Sequence, residues 1–312
     1  MKKDFLSVLD LTHDELDDTL ALAAKLKKER RAGKTSAKQL AGKHVALLFD
    51  KPSLRTKSTF TIAVRELGGD VIDPAAEVAL GSRETVTDVA KNLERWVSGA
   101  VVRTFAQAKL VEFANAAPNL RVVNALTDEE HPCQAVADVL TLQEHLGDLT
   151  GRTVTFVGDG NNVALSLAHA AIMVGMKVRV ASPKGYELSE SAIAEFAGRA
   201  RFGGSVEVSN DAMKAVAGCD AVYTDVWASM GQERETARRE RIFKKFQVNE
   251  KLMAAAGHAI FLHCLPAHRG HEVTDAVLDS KASVVFDQSE NRLHAQKALL
   301  AKLFTEDLPG RA

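Results

Sequence analysis

Hydrophobic runs of strand length alternate with segments of helical period along most of this chain. Strands are predicted at 44–49, 70–73, 100–103 and 121–125, with helices at 53–67, 85–96, 106–115 and 132–146. After a polar break at 147–151, strands follow at 153–157, 177–181, 206–208, 220–224, 258–262 and 283–286. Helices in this part are predicted at 162–174, 189–199, 211–217 and 290–304. Such alternation is typical of parallel sheets covered by helices, so the sequence predicts an α/β fold with two doubly wound domains.

The polar break sets the predicted domain boundary. We expect a first domain at 1–147, a second at 148–288, and a C-terminal helix at 289–312 that packs back on the first domain. Ligands of doubly wound sheets bind beyond the carboxyl ends of the strands. An active-site cleft is therefore expected between the two domains.

Composition narrows the class of protein. The 312 residues are 46% hydrophobic and 26% charged, which is ordinary for a globular protein, and the net charge of −1 favours neither nucleic acid nor an anionic membrane as a partner. Three cysteines are too few for a disulfide framework and fit a reducing compartment. The first residues lack the apolar core of a signal peptide, and no apolar run reaches the length of a membrane span. We expect a cytoplasmic protein.

An anion site is predicted after the first strand. Pro52 cannot continue that strand, and Ser53 is a good N-cap for the helix that follows. The first turn of this helix offers free N–H groups, hydroxyl groups and the guanidinium of Arg55. Taken alone, the segment fits an ordinary capped helix with a solvated arginine equally well.

Further polar residues follow the neighbouring strands of the first half. Arg103 ends the strand at 100–103, and His131 and Gln134 follow the strand at 121–125. Each could be structural on its own, as a surface ion pair or a buried histidine. Together with Arg55 they suit a phosphate that carries a neutral acyl group.

The second half presents groups for a different ligand. Its glycine-rich turn at 158–162 lacks the third glycine of a dinucleotide fingerprint, since Val163 stands there, and no acid closes the next strand. Asp225 follows the strand at 220–224, beside Asn162 and Ser229, and suits an α-amino acid head group or an amine.

A cluster of His263, Cys264, His268 and His271 raises the question of zinc. Its spacing matches no common zinc motif, and a Leu-Pro pair interrupts it, so we expect no metal. Cys264 could be a nucleophile, although a buried thiol at a strand end is more often inert.

Several motifs in the same order resemble ornithine carbamoyltransferases, in the aspartate/ornithine carbamoyltransferase family. They are KPSLRT at 51–56, LGG at 67–69, HPCQ at 131–134 with AD at 137–138, GDGNN at 158–162, DVWASMGQE at 225–233, HCLP at 263–266 and ENR at 290–292. The resemblance covers nearly the whole chain. It implies transfer of the carbamoyl group of carbamoyl phosphate to the side-chain amine of L-ornithine, which gives L-citrulline and phosphate in arginine biosynthesis. It also implies a homotrimer or a multiple of it, and because carbamoyl phosphate is already activated we expect no cofactor.

The resemblance also assigns roles to residues. Those implied for carbamoyl phosphate are Ser53, Leu54, Arg55, Thr56, Arg103, His131, Gln134, Cys264, Leu265 and Arg292. Those implied for ornithine are Asn162, Asp225, Ser229 and Met230, and the catalytic set is Arg55, Arg103, His131, Asp225 and Cys264. The chain departs from the family at Leu54, where many members have Thr, and at Ala79, where many have a Gln that reaches a neighbouring subunit's site.

Other functions remain open at this point. An aspartate carbamoyltransferase would share the first domain but needs basic residues where this chain has Asp225, Ser229 and Met230. Putrescine is another possible acceptor, and a non-catalytic amino-acid-binding protein and a dehydrogenase are rivals from other classes. The implied turn of backbone carbonyls toward the carbamoyl group also predicts a cis peptide bond at Leu265–Pro266.

Overall fold

The computed structural model of the protein describes residues 1–34, 38–75, 80, 83–196, 198–228 and 233–305. The chain forms two compact units, one of Met1–Leu140 with Glu290–Ala312 and the other of Thr141–Ser289. Both boundaries fall within helices, α5 at Pro132–Leu146 and α12 at Val285–Leu303. The polar break at 147–151 therefore lies inside the second unit.

The first unit contains a parallel sheet with the strand order β2-β1-β3-β4. Its strands are β1 at His44–Phe49, β2 at Asp70–Ile72, β3 at Gly99–Arg103 and β4 at Arg121–Leu126. Its helices are α1 at His13–Arg31, α2 at Leu54–Glu66, α3 at Val86–Trp96 and α4 at Gln107–Ala116, with most of α5 and α12. Every residue of β3 is buried, as expected for a central strand with helices on both faces.

The C-terminal part of α12 is tied to the first unit by specific contacts. Nε of Arg121 donates a hydrogen bond to the carbonyl oxygen of Leu303 at 2.5 Å, and its guanidinium lies over the ring of Phe304. A Cβ atom at Gly99 would lie 2.7 Å from that ring, so a side chain at this position would have to displace the ring. The buried Lys297 also forms a 2.6 Å ion pair with Glu66 on α2.

The second unit contains a parallel sheet with the strand order β7-β6-β5-β8-β9. Its strands are β5 at Thr153–Val157, β6 at Lys177–Ala181, β7 at Ser205–Ser209, β8 at Ala221–Thr224 and β9 at Ile260–His263. Its helices are α6 at Asn162–Met173, α7 at Glu190–Phe196, α8 at Ala212–Val216, α9 at Thr236–Phe243, α10 at Glu250–Ala256 and α11 at Asp275–Leu278. The predicted α/β class with two parallel sheets is thus confirmed. Within the described ranges, none of these helices has the length and apolarity needed to cross a membrane.

The predicted strand at 283–286 is wrong. Ser283 forms only an isolated bridge with Phe261, and α12 begins at Val285, five residues before the predicted start of the last helix at 290. A short apolar run fits strand and helix equally well. Here Val284, Val285 and Gln288 are buried while Phe286 is exposed, which follows the helical period. Helices α9 to α11 were not predicted, because α9 is rich in charge and the other two are short.

Two buried histidines make the fold sensitive to acid. His169 in the second unit and His294 in the first are each about 1% exposed or less. Burial lowers the pKa of His169 to about 4. Burial likewise lowers the pKa of His294 to about 4, although the nearby Glu290 acts in the opposite direction. Both imidazoles are therefore neutral in the folded protein near pH 7.

We predict that stability falls as the pH drops from about 6.5 toward 4. In that window the unfolded histidines take up protons that the folded ones do not, so protonation favours the unfolded chain. Urea unfolding midpoints at pH 7.5, 6.0 and 5.0 measure this slope. His294→Gln should flatten it, whereas His258→Gln, which changes an exposed histidine, should leave it unchanged. An identical slope in wild type and His294→Gln would contradict the assignment.

Candidate active site

The predicted anion-binding residues lie at the switch point of the first sheet. In the order β2-β1-β3-β4, the direction of strand succession reverses between β1 and β3. Ser53 and Arg55 follow β1, Arg103 is the last residue of β3, and His131 follows β4. Because these three strands are adjacent and parallel, their carboxyl ends share one edge of the sheet.

The start of α2 supplies the backbone part of this site. Ser53 is the N-cap, and its side chain accepts a hydrogen bond from the N–H of Thr56 at 3.3 Å. Leu54 and Arg55 are in the first turn, where backbone N–H groups have no intrahelical acceptor. The Leu54 side chain is 79% exposed and Arg55 is half-buried. This helix end therefore provides donors and the positive end of a helix dipole.

Two buried guanidiniums add positive charge at this site. Arg292 reaches from α12 and donates a hydrogen bond from Nη2 to Oγ1 of Thr56 at 2.6 Å. Arg103 is also buried, and its charge acts on the same imidazole as that of Arg292. Burial, together with Arg292 and Arg103, holds the pKa of His131 well below its usual value. The site thus combines two permanent cations with a neutral imidazole.

Helix α5 fixes the other polar groups of the first unit. Pro132 is the first residue of α5, which leaves His131 just before the helix. Nε2 of Gln134 donates a hydrogen bond to Oδ1 of Asp138 at 2.7 Å, and both side chains are buried. The thiol of Cys133 donates to the carbonyl oxygen of Asn124, and burial raises its pKa to about 12. Cys133 is therefore an unreactive packing residue.

A carboxylate held from two sides forms the candidate site of the second unit. Strand succession in this sheet reverses between β5 and β8, and Asp225 follows β8. Nδ2 of Asn161 donates to Oδ2 of Asp225 at 2.9 Å, and the Cys264 thiol donates to Oδ1 at 3.0 Å. Asn162, named from sequence for ornithine, is the first residue of α6 and is half-buried.

Two further residues support the turn after β5. The sequence placed Asn161 in this turn without assigning it a role, and it did not identify Arg239. Asn161 is the N-cap of α6 and accepts from two backbone N–H groups as well as contacting Asp225. Arg239 on α9 donates to Asp159 at 2.6 Å and to the carbonyl oxygen of Trp227 at 2.9 Å. Asparagine directly before a helical segment is a signal that could have identified Asn161. Nothing in the sequence linked Arg239 to the turn after β5.

The loop after β9 has an unusual backbone. The predicted cis peptide bond between Leu265 and Pro266 is confirmed, and Leu265 has a φ of 58°. The N–H of Leu265 donates to Nδ1 of His263 at 2.9 Å, while Nε2 of His263 lies 3.1 Å from Oε1 of Glu272. A buried carboxylate thus orients the imidazole that holds this loop, and sequence reasoning did not identify Glu272.

Within the described ranges, ligand atoms of Asp225, His263 and Cys264 lie within 4.8 Å of one another. His268 and His271, which the sequence suggested with them, are not part of this set. Both ring nitrogens of His263 already make hydrogen bonds, so a metal ion would have to displace one of them. Ser229 and Met230, which the sequence resemblance assigned to ornithine, lie outside the described residues, and so does Ala79.

Two family models together match most of the chain. The carbamoyl-P binding domain of aspartate/ornithine carbamoyltransferase matches residues 3–144. The Asp/Orn binding domain of the same family matches residues 150–303. The chain belongs to the aspartate/ornithine carbamoyltransferase family. The resemblance found in the sequence motifs is thereby confirmed.

Relatives within the carbamoyltransferase family match over nearly the full length. The ornithine carbamoyltransferase of Parafrankia sp. is 50% identical over 311 residues, covering 98% of this chain and 97% of the relative. The ornithine carbamoyltransferase of Methanocorpusculum labreanum is 46% identical over 308 residues, covering 98% of this chain and 99% of the relative. The solved ornithine carbamoyltransferase structure from Pyrococcus furiosus is 45% identical, with a TM-score of 0.90 and 96% of each chain covered.

In this carbamoyltransferase family member, Gly160 allows the turn after β5 to approach another loop. A Cβ atom at this position would lie 2.5 Å from the backbone of both Glu187 and Leu188. The N–H of Gly160 also donates to the carbonyl oxygen of Tyr186 at 2.8 Å. Glycine is therefore needed for packing rather than for a nucleotide.

We predict that Gly160→Ala destabilises the protein by about 1–3 kcal/mol, because a backbone clash cannot be relieved by a side-chain rotation. Gly198→Ala is the matched control, since a Cβ atom there meets nothing within 4 Å. Urea unfolding of both variants measures the difference. Equal stability of Gly160→Ala and wild type would show that the 187–188 loop moves freely.

Proposed function

We propose that this chain transfers the carbamoyl group of carbamoyl phosphate to the side-chain amine of L-ornithine, giving L-citrulline and phosphate. The observation that carries this proposal is a division of charge between two domains of known family. The start of α2 and the buried Arg103 lie in the part that matches the carbamoyl-P binding domain, and Arg292 joins them from α12. The buried carboxylate of Asp225 lies in the part that matches the Asp/Orn binding domain. The full-length similarity to ornithine carbamoyltransferases supports ornithine as the acceptor.

In this proposal the first unit binds carbamoyl phosphate. The start of α2 and the guanidiniums of Arg55, Arg103 and Arg292 bind the phosphate, since charged hydrogen bonds from arginine suit phosphate oxygens. The neutral His131 donates a hydrogen bond to the carbamoyl oxygen, and Gln134 binds the amino group. Ser53, Leu54 and Thr56 belong to the same phosphate-binding turn, and Cys264 and Leu265 are assigned to the carbamoyl group.

The reaction needs orientation and charge stabilisation rather than a redox or metal step. The neutral amine of ornithine attacks the carbamoyl carbon, a C–N bond forms, and the C–O bond to phosphate breaks. Phosphate leaves with the electron pair of that bond and takes up the proton that the amine loses. Arg55, Arg103 and His131 stabilise the developing negative charge on oxygen. The low pKa of His131 keeps its imidazole neutral, and the one N–H group that a neutral imidazole carries can donate to the carbamoyl oxygen.

The second unit is proposed to bind ornithine. Asp225 attracts the α-ammonium group, and Asn162, Ser229 and Met230 complete the set assigned to this substrate. Aspartate, the alternative acceptor, would bring a second carboxylate toward the Asp225 carboxylate, and like charges repel. The thiol of Cys264 holds one oxygen of Asp225 and helps to orient it.

We also propose a cytoplasmic homotrimer. The three cysteines are free and buried, which suits a reducing compartment. A groove lined by Ser53, Leu54, Lys57, Ser58, Thr61, Ile62 and Asp73 runs along α2, and Leu54 and Ile62 on it are exposed. Exposed apolar side chains beside the anion site suit burial against a second copy of the chain.

The proposed function predicts a strong dependence on the acceptor. Phosphate release from carbamoyl phosphate should be rapid with L-ornithine and at least about tenfold slower with aspartate or putrescine. Aspartate brings a second carboxylate toward Asp225, and putrescine lacks the α-amino acid head group that the second unit is proposed to bind. A colorimetric phosphate assay with each acceptor, corrected for spontaneous decomposition, measures this. Preference for aspartate would overturn the ornithine proposal and leave carbamoyl phosphate as the donor.

Variants in the first unit should affect carbamoyl phosphate, and variants in the second unit should affect ornithine. Arg103→Ala should raise the KM for carbamoyl phosphate and lower kcat. Because a charged contact is lost, kcat/KM should fall by about 10- to 100-fold. Asp225→Asn should lose ornithine turnover by a similar factor while carbamoyl phosphate binding, measured by calorimetry, is retained. Arg95→Ala, which removes an exposed arginine, is the control. Unchanged kinetics in Arg103→Ala would remove Arg103 from the phosphate site.

A further inference from the structure

The Gln134 amide has a defined orientation. Gln134 and Asp138 are four residues apart on α5, so their side chains lie on the same face of the helix. The 2.7 Å hydrogen bond joins Nε2 of Gln134 to Oδ1 of Asp138. A carboxylate accepts hydrogen bonds and does not donate them, so the NH₂ end of the amide must face Asp138. The carbonyl end, Oε1, then points away from Asp138.

The carbonyl end of this amide is ready to accept a hydrogen bond. Gln134 is 1% exposed, and its Oε1 atom is buried. Within the described part of the chain, Oε1 makes no hydrogen bond to another residue. A buried polar atom without a partner costs free energy, and in a native protein it calls for an explanation. A ligand with an N–H group would satisfy it.

We propose that Asp138 is a positioning residue that makes the Gln134 carbonyl oxygen an acceptor for the amino group of carbamoyl phosphate. This inference rests on the proposed function and extends it to donor selectivity. Without the carboxylate, the amide could rotate by half a turn and present its own NH₂ group to the amino group of the donor. Two hydrogen-bond donors would then face each other, and binding of the carbamoyl group would be weakened.

The same orientation discriminates between donors. Acetyl phosphate carries the same phosphate and carbonyl groups as carbamoyl phosphate but has a methyl group in place of the amino group. It offers no N–H to Oε1 of Gln134, so its binding should not depend on how the amide is turned. Selection of carbamoyl phosphate over acetyl phosphate is therefore the property that Asp138 controls. A residue with only a structural role would affect both donors alike.

The test compares Asp138→Asn with wild type in binding both phosphates. Asparagine keeps the size of the side chain, but its NH₂ group can donate to Oε1 of Gln134 and allow the turned amide. Dissociation constants for carbamoyl phosphate and acetyl phosphate are measured by calorimetry on the full chain. We expect affinity for carbamoyl phosphate to fall by about tenfold, and affinity for acetyl phosphate to change by less than about twofold.

A second variant makes the test independent of any effect on folding. Gln134→Met removes the amide, so it should lose the same selectivity, and adding Asp138→Asn to it should reduce selectivity no further. If Asp138→Asn weakened the binding of carbamoyl phosphate and acetyl phosphate equally, or left the ratio of their affinities unchanged, the positioning role would be overturned. Failure of the wild type to bind carbamoyl phosphate would overturn the proposed function as well, so the two failures are distinguishable.

Discussion

The parallel direction of the strands is the constraint on which the rest of this structure depends. In each sheet the carboxyl ends of neighbouring strands lie at one edge, and the order of the strands reverses near the middle. At that reversal, the loops that follow the two neighbouring strands run in opposite directions, and a crevice opens between them. The residues proposed to bind the substrates lie at or after the ends of β1, β3 and β4 in one unit and of β5, β8 and β9 in the other, and Arg292 is added from α12.

Each unit then acquires its own electrostatic character. In the first, the helix start at Ser53 and the buried side chains of Arg103 and Arg292 concentrate positive charge. Burial, helped by these two charges, lowers the pKa of His131 and keeps it neutral. In the second, Asp225 is a buried carboxylate whose oxygens accept hydrogen bonds from Asn161 and Cys264. Burial strengthens the interaction of such charges with a ligand, because less water screens them. A phosphate and an ammonium group are the ligands that these two environments favour.

A second set of residues holds the side chains of the proposed site, and these residues are not themselves assigned to a substrate. Asn161 joins the start of α6 to Asp225, Glu272 holds the imidazole of His263, and Asp138 turns the amide of Gln134. Each supporting residue fixes one orientation of a group that would otherwise have two or more. Since hydrogen bonds depend on direction, this support decides which atom faces the ligand.

The sequence by itself determined the α/β class, the edge at which the site residues lie, and the family, because hydrophobic periodicity and short motifs are local properties of the chain. It even indicated the cis bond at Leu265–Pro266. Only the tertiary structure decided that 283–286 begins a helix, since a short apolar run fits both periods until its neighbours are known. It also revealed the contacts of Asn161, Arg239 and Glu272, whose partners are distant in sequence or lie on another element. The direction of a side chain depends on packing across elements, and no local pattern encodes it.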